Sequence, residues 1–164
     1  KRELEKEGIP YDDKMEVGIM IEVPSAAILA DVLIEKVDFF SIGTNDLTQY
    51  VLAADRLSEE VSYIYDNFHP AVLKMISNIA EAAINAGKKV SVCGEMGGDS
   101  TAIMAFLSFG IKDLSMLSSL IPKVKKIVST IEIKKLKELK VKILNCKKTS
   151  EVKELLNDYL LGVI

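Results

Sequence analysis

The chain has 164 residues, 49 % of them hydrophobic, with 21 Lys and Arg against 24 Asp and Glu, a net charge of −3 and one His. That is enough apolar material for one buried core, which excludes disorder, and the charge balance gives no support for nucleic-acid binding. No apolar run is long enough to span a bilayer, no signal-peptide pattern opens the chain, and Cys93 and Cys146 do not form a metal-binding spacing, so a reducing, cytoplasmic setting is expected.

Lys1 to Gly8 reads as the tail of a helix, stopped by Gly8-Ile9-Pro10. Four strand-like segments then recur, each followed by helical pattern. Val17 to Ile21 precedes a helix over Ser25 to Lys36, with Pro24 at its entrance. Phe39 to Ile42 precedes a helix over Asp46 to Ala54. A connection containing Leu57 to Tyr65 leads to the longest helix, Pro70 to Ala86, which Gly87 stops. Val90 to Cys93 precedes Ser100 to Phe109, and Leu114 to Met116 precedes Pro122 to Ser129. Two further helices, Ile133 to Leu144 and Ser150 to Leu160, complete the pattern. The lysines between Lys123 and Lys148 alternate with apolar residues at helical spacing and read as the wet side of these helices.

Strands alternating with helices predict a parallel sheet with right-handed crossovers. Four βα units are half of a TIM-type (β/α)8 barrel, whose full form takes about 250 residues. The expected architecture is therefore α/β: residues 1–164 as the C-terminal half of a barrel domain, plus C-terminal helices, from a longer protein.

The most informative run is Val37 to Arg56, VDFFSIGTNDLTQYVLAADR. An apolar, β-prone segment passes through Gly43-Thr44-Asn45-Asp46 into a helix. Thr44 and Asn45 are good helix caps, and the turn lies where α/β proteins place ligands and where anions bind. Arg56 follows, and Arg2 is the only other arginine. A lone arginine beside such a turn suggests two-pronged recognition of a phosphate or carboxylate. Glu22 sits at the end of the first strand, so its carboxylate is expected in the same mouth as Asp46. Two carboxylates without a His or Cys pair suit magnesium better than zinc. Asp46 also complements the helix dipole, which leaves its outer oxygen free. Cys93 ends the third strand, where a thiol is able to give a proton to carbon. Asp99 reads as a helix cap, and His69, before Pro70, as structural. Cys146 is assigned no function.

The run resembles the signature of phosphoenolpyruvate-utilising enzymes, and its details resemble the barrel of Enzyme I of the bacterial sugar phosphotransferase system. Supporting stretches are GIMIEVPSAA (Gly18 to Ala27), FHPAVLKMI (Phe68 to Ile76), CGEMGGD (Cys93 to Asp99) and the IPKVKKI after Ser115-Met116. The resemblance implies that Glu22 and Asp46 hold Mg2+, that Asn45, Asp46 and Arg56 contact phosphoenolpyruvate, and that Cys93 protonates the enolate to pyruvate; Glu95, close after Cys93 in the chain, reads as a residue that orients its neighbours. The resemblance further implies an upstream half barrel carrying further arginines and an upstream domain whose histidine takes the phosphoryl group. A small histidine-containing carrier protein then receives that group, the full protein is a homodimer, and membrane is not a partner. Without those upstream parts, the isolated fragment is expected to be inactive. A pyruvate phosphate dikinase or phosphoenolpyruvate synthase barrel is the alternative enzyme, and a non-catalytic half-barrel assembly module the alternative of another class. Two positions depart from the Enzyme I pattern. Leu117 stands where a small polar residue is usual, and Gly98 replaces an alanine, as in the dikinases.

Overall fold

The computed structural model describes residues 1–162, with side chains at all but positions 133 and 134, so the last two positions of the expected 1–164 span lie outside it. Four strands, β1 (Gly18–Ile21), β2 (Phe39–Gly43), β3 (Lys89–Cys93) and β4 (Asp113–Leu114), form one sheet in the order β1-β2-β3-β4. Each neighbouring pair is parallel. Met20 lies level with Ser41 and Ser91, Ile21 with Ile42 and Val92, and Gly43 with Cys93.

Side chains alternate across a strand, so the sheet has two unlike faces. Ile21, Phe40, Ile42 and Val92 point to one face and are fully buried. Their cover comes mainly from helix α5 (Pro70–Asn85), which packs on β2 and β3. The other face carries Met20, Ser41, Ser91 and Cys93, none of them fully buried.

The remaining helices follow the sequence pattern with shifted ends. α1 spans Arg2–Glu7 and ends at Gly8 with φ 65°. The segment expected as one helix divides into α2 (Pro24–Ile28) and α3 (Ala30–Ile34), because Leu29 takes φ −94°, ψ 18° between them. Ala27, Ala30 and Ile34 stay buried across that break, and both pieces pack on α5. α4 spans Thr44–Leu52, α6 Ser100–Ser108, α7 Ile121–Thr130, α8 Ile133–Asn145 and α9 Thr149–Leu161. α6 packs on α8 and α9. Val124, Ile127, Leu139 and Ile143 are buried between the lysines, which explains how a lysine-rich stretch joins the core. β4 is shorter than expected, although Ser115 N–H still donates to Val92 O at 2.8 Å and extends the ladder by one bond. Among the described residues no helix is long and apolar enough to cross a membrane.

Candidate active site at the carboxyl ends of the strands

The site is built where β1, β2 and β3 end. Glu22 follows β1, and its side chain lies across the end of β2. A Cβ on Gly43 would stand 2.6 Å from Glu22 Cγ and 2.7 Å from its Oε1. Glycine at 43 is therefore what lets this carboxylate rest against the strand. Cys93 is the register partner of Gly43, on the other side from Glu22. Cys93 Sγ approaches Met20 Sδ at 4.0 Å. Glu22, Gly43 and Cys93 thus meet on one face of the sheet.

α4 starts directly from Gly43, with Asp46 in its first turn. Asp46 is half-buried, and neither its carboxylate nor that of Glu22 forms a hydrogen bond or ion pair with any described residue. A carboxylate at the end of β1 and another in the first turn of α4, neither paired with a described residue, are the donor type that suits a hard divalent cation completing its shell with substrate oxygens and water. Three or more His, Cys, Asp or Glu in metal-binding reach do not occur among the described residues. A zinc-type site of three or four protein ligands does not match this donor set.

The expected caps at this turn are not made. Gly43 holds the cap position, without any side-chain cap bond. Thr44 Oγ1 instead donates to Cys93 O at 2.9 Å, tying α4 to the end of β3. Asn45 Oδ1 accepts the Glu95 N–H at 3.3 Å. Both groups are drawn away from the helix start because the turn after Cys93 lies against it. Gly94, at φ 101°, makes that approach: a Cβ there would stand 2.6 Å from Thr44 Oγ1 and would be strained as well. With Oδ1 occupied, both Nδ2 protons of Asn45 remain for a ligand.

Cys93 is partly buried. Its Sγ–H donates to Ile42 O at 3.5 Å, and Sγ accepts from Ser41 Oγ at 3.6 Å. Arg56 is exposed, and its backbone N–H donates to Gln49 Oε1 at 3.3 Å. Glu95 contributes its backbone here while its side chain is exposed. Asp99 Oδ1 caps α6 by accepting from Thr101 N–H and Ala102 N–H. His69 Nδ1 accepts from Ala71 N–H at 3.2 Å and caps α5, a structural role. Cys146 lies apart from the site, with burial pushing its thiol pKa up and the Glu151 charge adding to that.

Tyr65 belongs to this site and had no sequence signal, since it stands in an irregular connection without periodicity. Its hydroxyl donates to Asn45 O at 3.1 Å. Burial raises its pKa above the ordinary phenol value. The Arg56 charge works against that rise, and the charges of Glu95 and Asp46 add to it. Four groups from three segments therefore act on one phenol. A cavity of about 660 Å³ runs beside Ile84, Leu107 and Leu136, away from these residues.

The fold is an α/β domain with a four-stranded parallel sheet, and Glu22, Asn45 and Cys93 lie at the carboxyl ends of its strands. Residues 1–133 match the family described as PEP-utilising enzyme, PEP-binding domain, and the chain belongs to that family. It is 44 % identical over 156 residues to a phosphoenolpyruvate-protein phosphotransferase of Staphylococcus carnosus, covering 95 % of this chain and 27 % of that protein. The same identity holds over 160 residues with the phosphoenolpyruvate-protein phosphotransferase of Lactococcus lactis subsp. lactis, covering 97 % of this chain and 28 % of the relative. A Staphylococcus aureus protein of the same name is also 44 % identical, over 98 % of this chain and 28 % of its own length. The chain thus spans just over a quarter of these relatives.

Proposed function

We propose that this chain is the C-terminal half of a (β/α)8 barrel that binds phosphoenolpyruvate with Mg2+. In the longer protein the phosphoryl group passes to a histidine on another domain, as in Enzyme I, and pyruvate leaves. A small histidine-containing carrier protein is the expected next acceptor, and the full protein is expected to be a homodimer. The family match and the relatives' shared name support the reaction. The observation that carries the site is the Glu22 carboxylate lying across Gly43, beside Cys93 and the first turn of α4.

Glu22 and Asp46 would hold the ion, which when bound supplies positive charge to the phosphate and enol oxygens. Arg56 grips phosphoryl oxygens through its planar fork. Asn45 donates from Nδ2 to a substrate oxygen. As the phosphorus–oxygen bond breaks, its electron pair stays on the enol oxygen and the phosphoryl group moves to the histidine nitrogen. The methylene carbon of the enolate then takes the Cys93 thiol proton. The thiolate left behind is reprotonated from water. Ser41, which donates to Sγ, stabilises that thiolate. At Gly98 an alanine Cβ would stand 2.4 Å from Leu120 Cδ1 and 3.5 Å from Met116 Cβ, so the glycine leaves Leu120 room that an alanine would take. Leu117 is 74 % exposed and takes no part in the contacts described.

The test uses Cys93→Ser in the full-length protein. The variant is expected to bind phosphoenolpyruvate with Mg2+ in calorimetry as the wild type does. In deuterated water it is expected to lose efficient, face-selective labelling of the pyruvate methyl group, because an alcohol is a far weaker acid than a thiol. Undiminished turnover with unchanged facial preference would remove Cys93 from the chemistry.

A further inference from the structure

The connection between α4 and α5 is held to α4 at two points. The Arg56 N–H donates to Gln49 Oε1, and the Tyr65 hydroxyl donates to Asn45 O. Positions 45 and 49 are four apart, so both clamps fall on one face of the helix. Between them the chain is stiffened by successive turns. Ser58 N–H donates to Asp55 O, Val61 N–H to Ser58 O, Ile64 N–H to Val61 O and Tyr65 N–H to Ser62 O. Leu57 N–H also donates to Asp55 Oδ1 at 2.9 Å. Arg56 therefore rides on a segment whose far end is fixed by one phenol.

The same bond acts on the other partner. Asn45 is gripped through its carbonyl by Tyr65 and through Oδ1 by Glu95 N–H, which fixes the direction of its free amide. Thr48, fully buried one turn further on, lies near enough to act on the phenol, although its Oγ1 has no partner of hydrogen-bond geometry. We propose that Tyr65 is a positioning residue of this site. Its hydroxyl joins the first turn of α4 to the connection bearing Arg56, so that the Asn45 amide and the guanidinium keep one mutual arrangement.

This inference rests on the phosphoenolpyruvate reading, and its test separates the two. Magnesium-dependent binding of phosphoenolpyruvate to the full-length wild type is measured first by calorimetry; its absence overturns both. With binding present, Tyr65→Phe keeps the ring and removes only the hydroxyl. Its kcat/KM is expected to fall about tenfold, the scale of one lost hydrogen bond. Tyr63→Phe, at an 83 % exposed neighbour, is expected to leave kcat/KM unchanged. The deciding readout is coupling: Arg56→Lys is expected to cost much less in the Tyr65→Phe background than in the wild type. Additive losses would mean that Tyr65 does not act through Arg56 and would overturn the proposal. A second measurement needs no variant. Saturating phosphoenolpyruvate with Mg2+ is expected to slow nitration of Tyr65 at least severalfold and leave Tyr63 unaffected; equal nitration with and without ligand overturns the proposal.

Discussion

The two faces of the sheet differ in nearly every physical respect. On one, Ile21, Phe40, Ile42 and Val92 are sealed beneath helices and fully buried. On the other, Met20 is 50 % exposed, and Ser41, Ser91 and Cys93 carry hydroxyl and thiol groups. Parallel sheets are ordinarily covered on both faces by apolar side chains. Here the covered face supplies the folding energy, and the polar face ends in Glu22, Gly43 and Cys93. The separation lets side chains at the strand ends be chosen for chemistry without opening the core.

The sharpest way to break this contrast is to truncate one residue on each face. Phe40→Ala is expected to cost about 3–5 kcal/mol of stability, and Met20→Ala under about 1 kcal/mol, both read from urea unfolding. Similar costs would mean that the polar face is packed as tightly as the other. Glu22→Ala or Asp46→Ala is expected to lower phosphoenolpyruvate turnover by the full-length protein on the order of a hundredfold or more, with an unchanged Tm. Near-normal turnover in either would remove that carboxylate from the proposed metal site.

Gly43→Ala sharpens the contrast further. The backbone at 43, φ −81°, suits any residue, and the three atoms nearest the added Cβ all belong to the movable Glu22 side chain. Stability is therefore expected to hold while magnesium affinity falls about tenfold; a large loss of Tm would show that the position is packed and not functional. The smallest effect lies far from both faces. Glu151 Oε2 accepts from Lys147 N–H at 2.8 Å and Lys148 N–H at 3.4 Å, which holds its carboxyl below the usual range. A depressed folded pKa means stability present above the unfolded carboxylate range and lost as pH falls through the folded value. Glu151→Gln is expected to flatten that acid-side slope in Tm slightly; an unchanged slope would show that the bonds do not persist in solution.

The order of strands and helices was readable in advance because alternation and periodicity are local properties, and VDFFSIGTNDLTQYVLAADR carries its turn chemistry within twenty residues. Glu22, Asp46 and Cys93 are expected near one another because parallel strands bring like ends together. Thr44 and Asn45 do not cap α4, for the opposite reason. Their side chains chose partners at Cys93 and Glu95, 49 and 50 residues away, over the backbone next to them. Local propensity yields wherever a distant group offers a better hydrogen bond. The break at Leu29 occurs without a glycine or proline to announce it.

What the sequence determined by itself was the parallel α/β order, the apolar face, and the residue types at the strand ends. What only the tertiary structure decided was which of their atoms are left without partners. Asn45 is left with its amide, Glu22 lies across Gly43, and Tyr65, from an irregular connection, closes on the Asn45 carbonyl. Composition and spacing fix which groups a chain carries. Hydrogen-bond partners are allotted only when segments far apart in the chain compete for the same few ångströms.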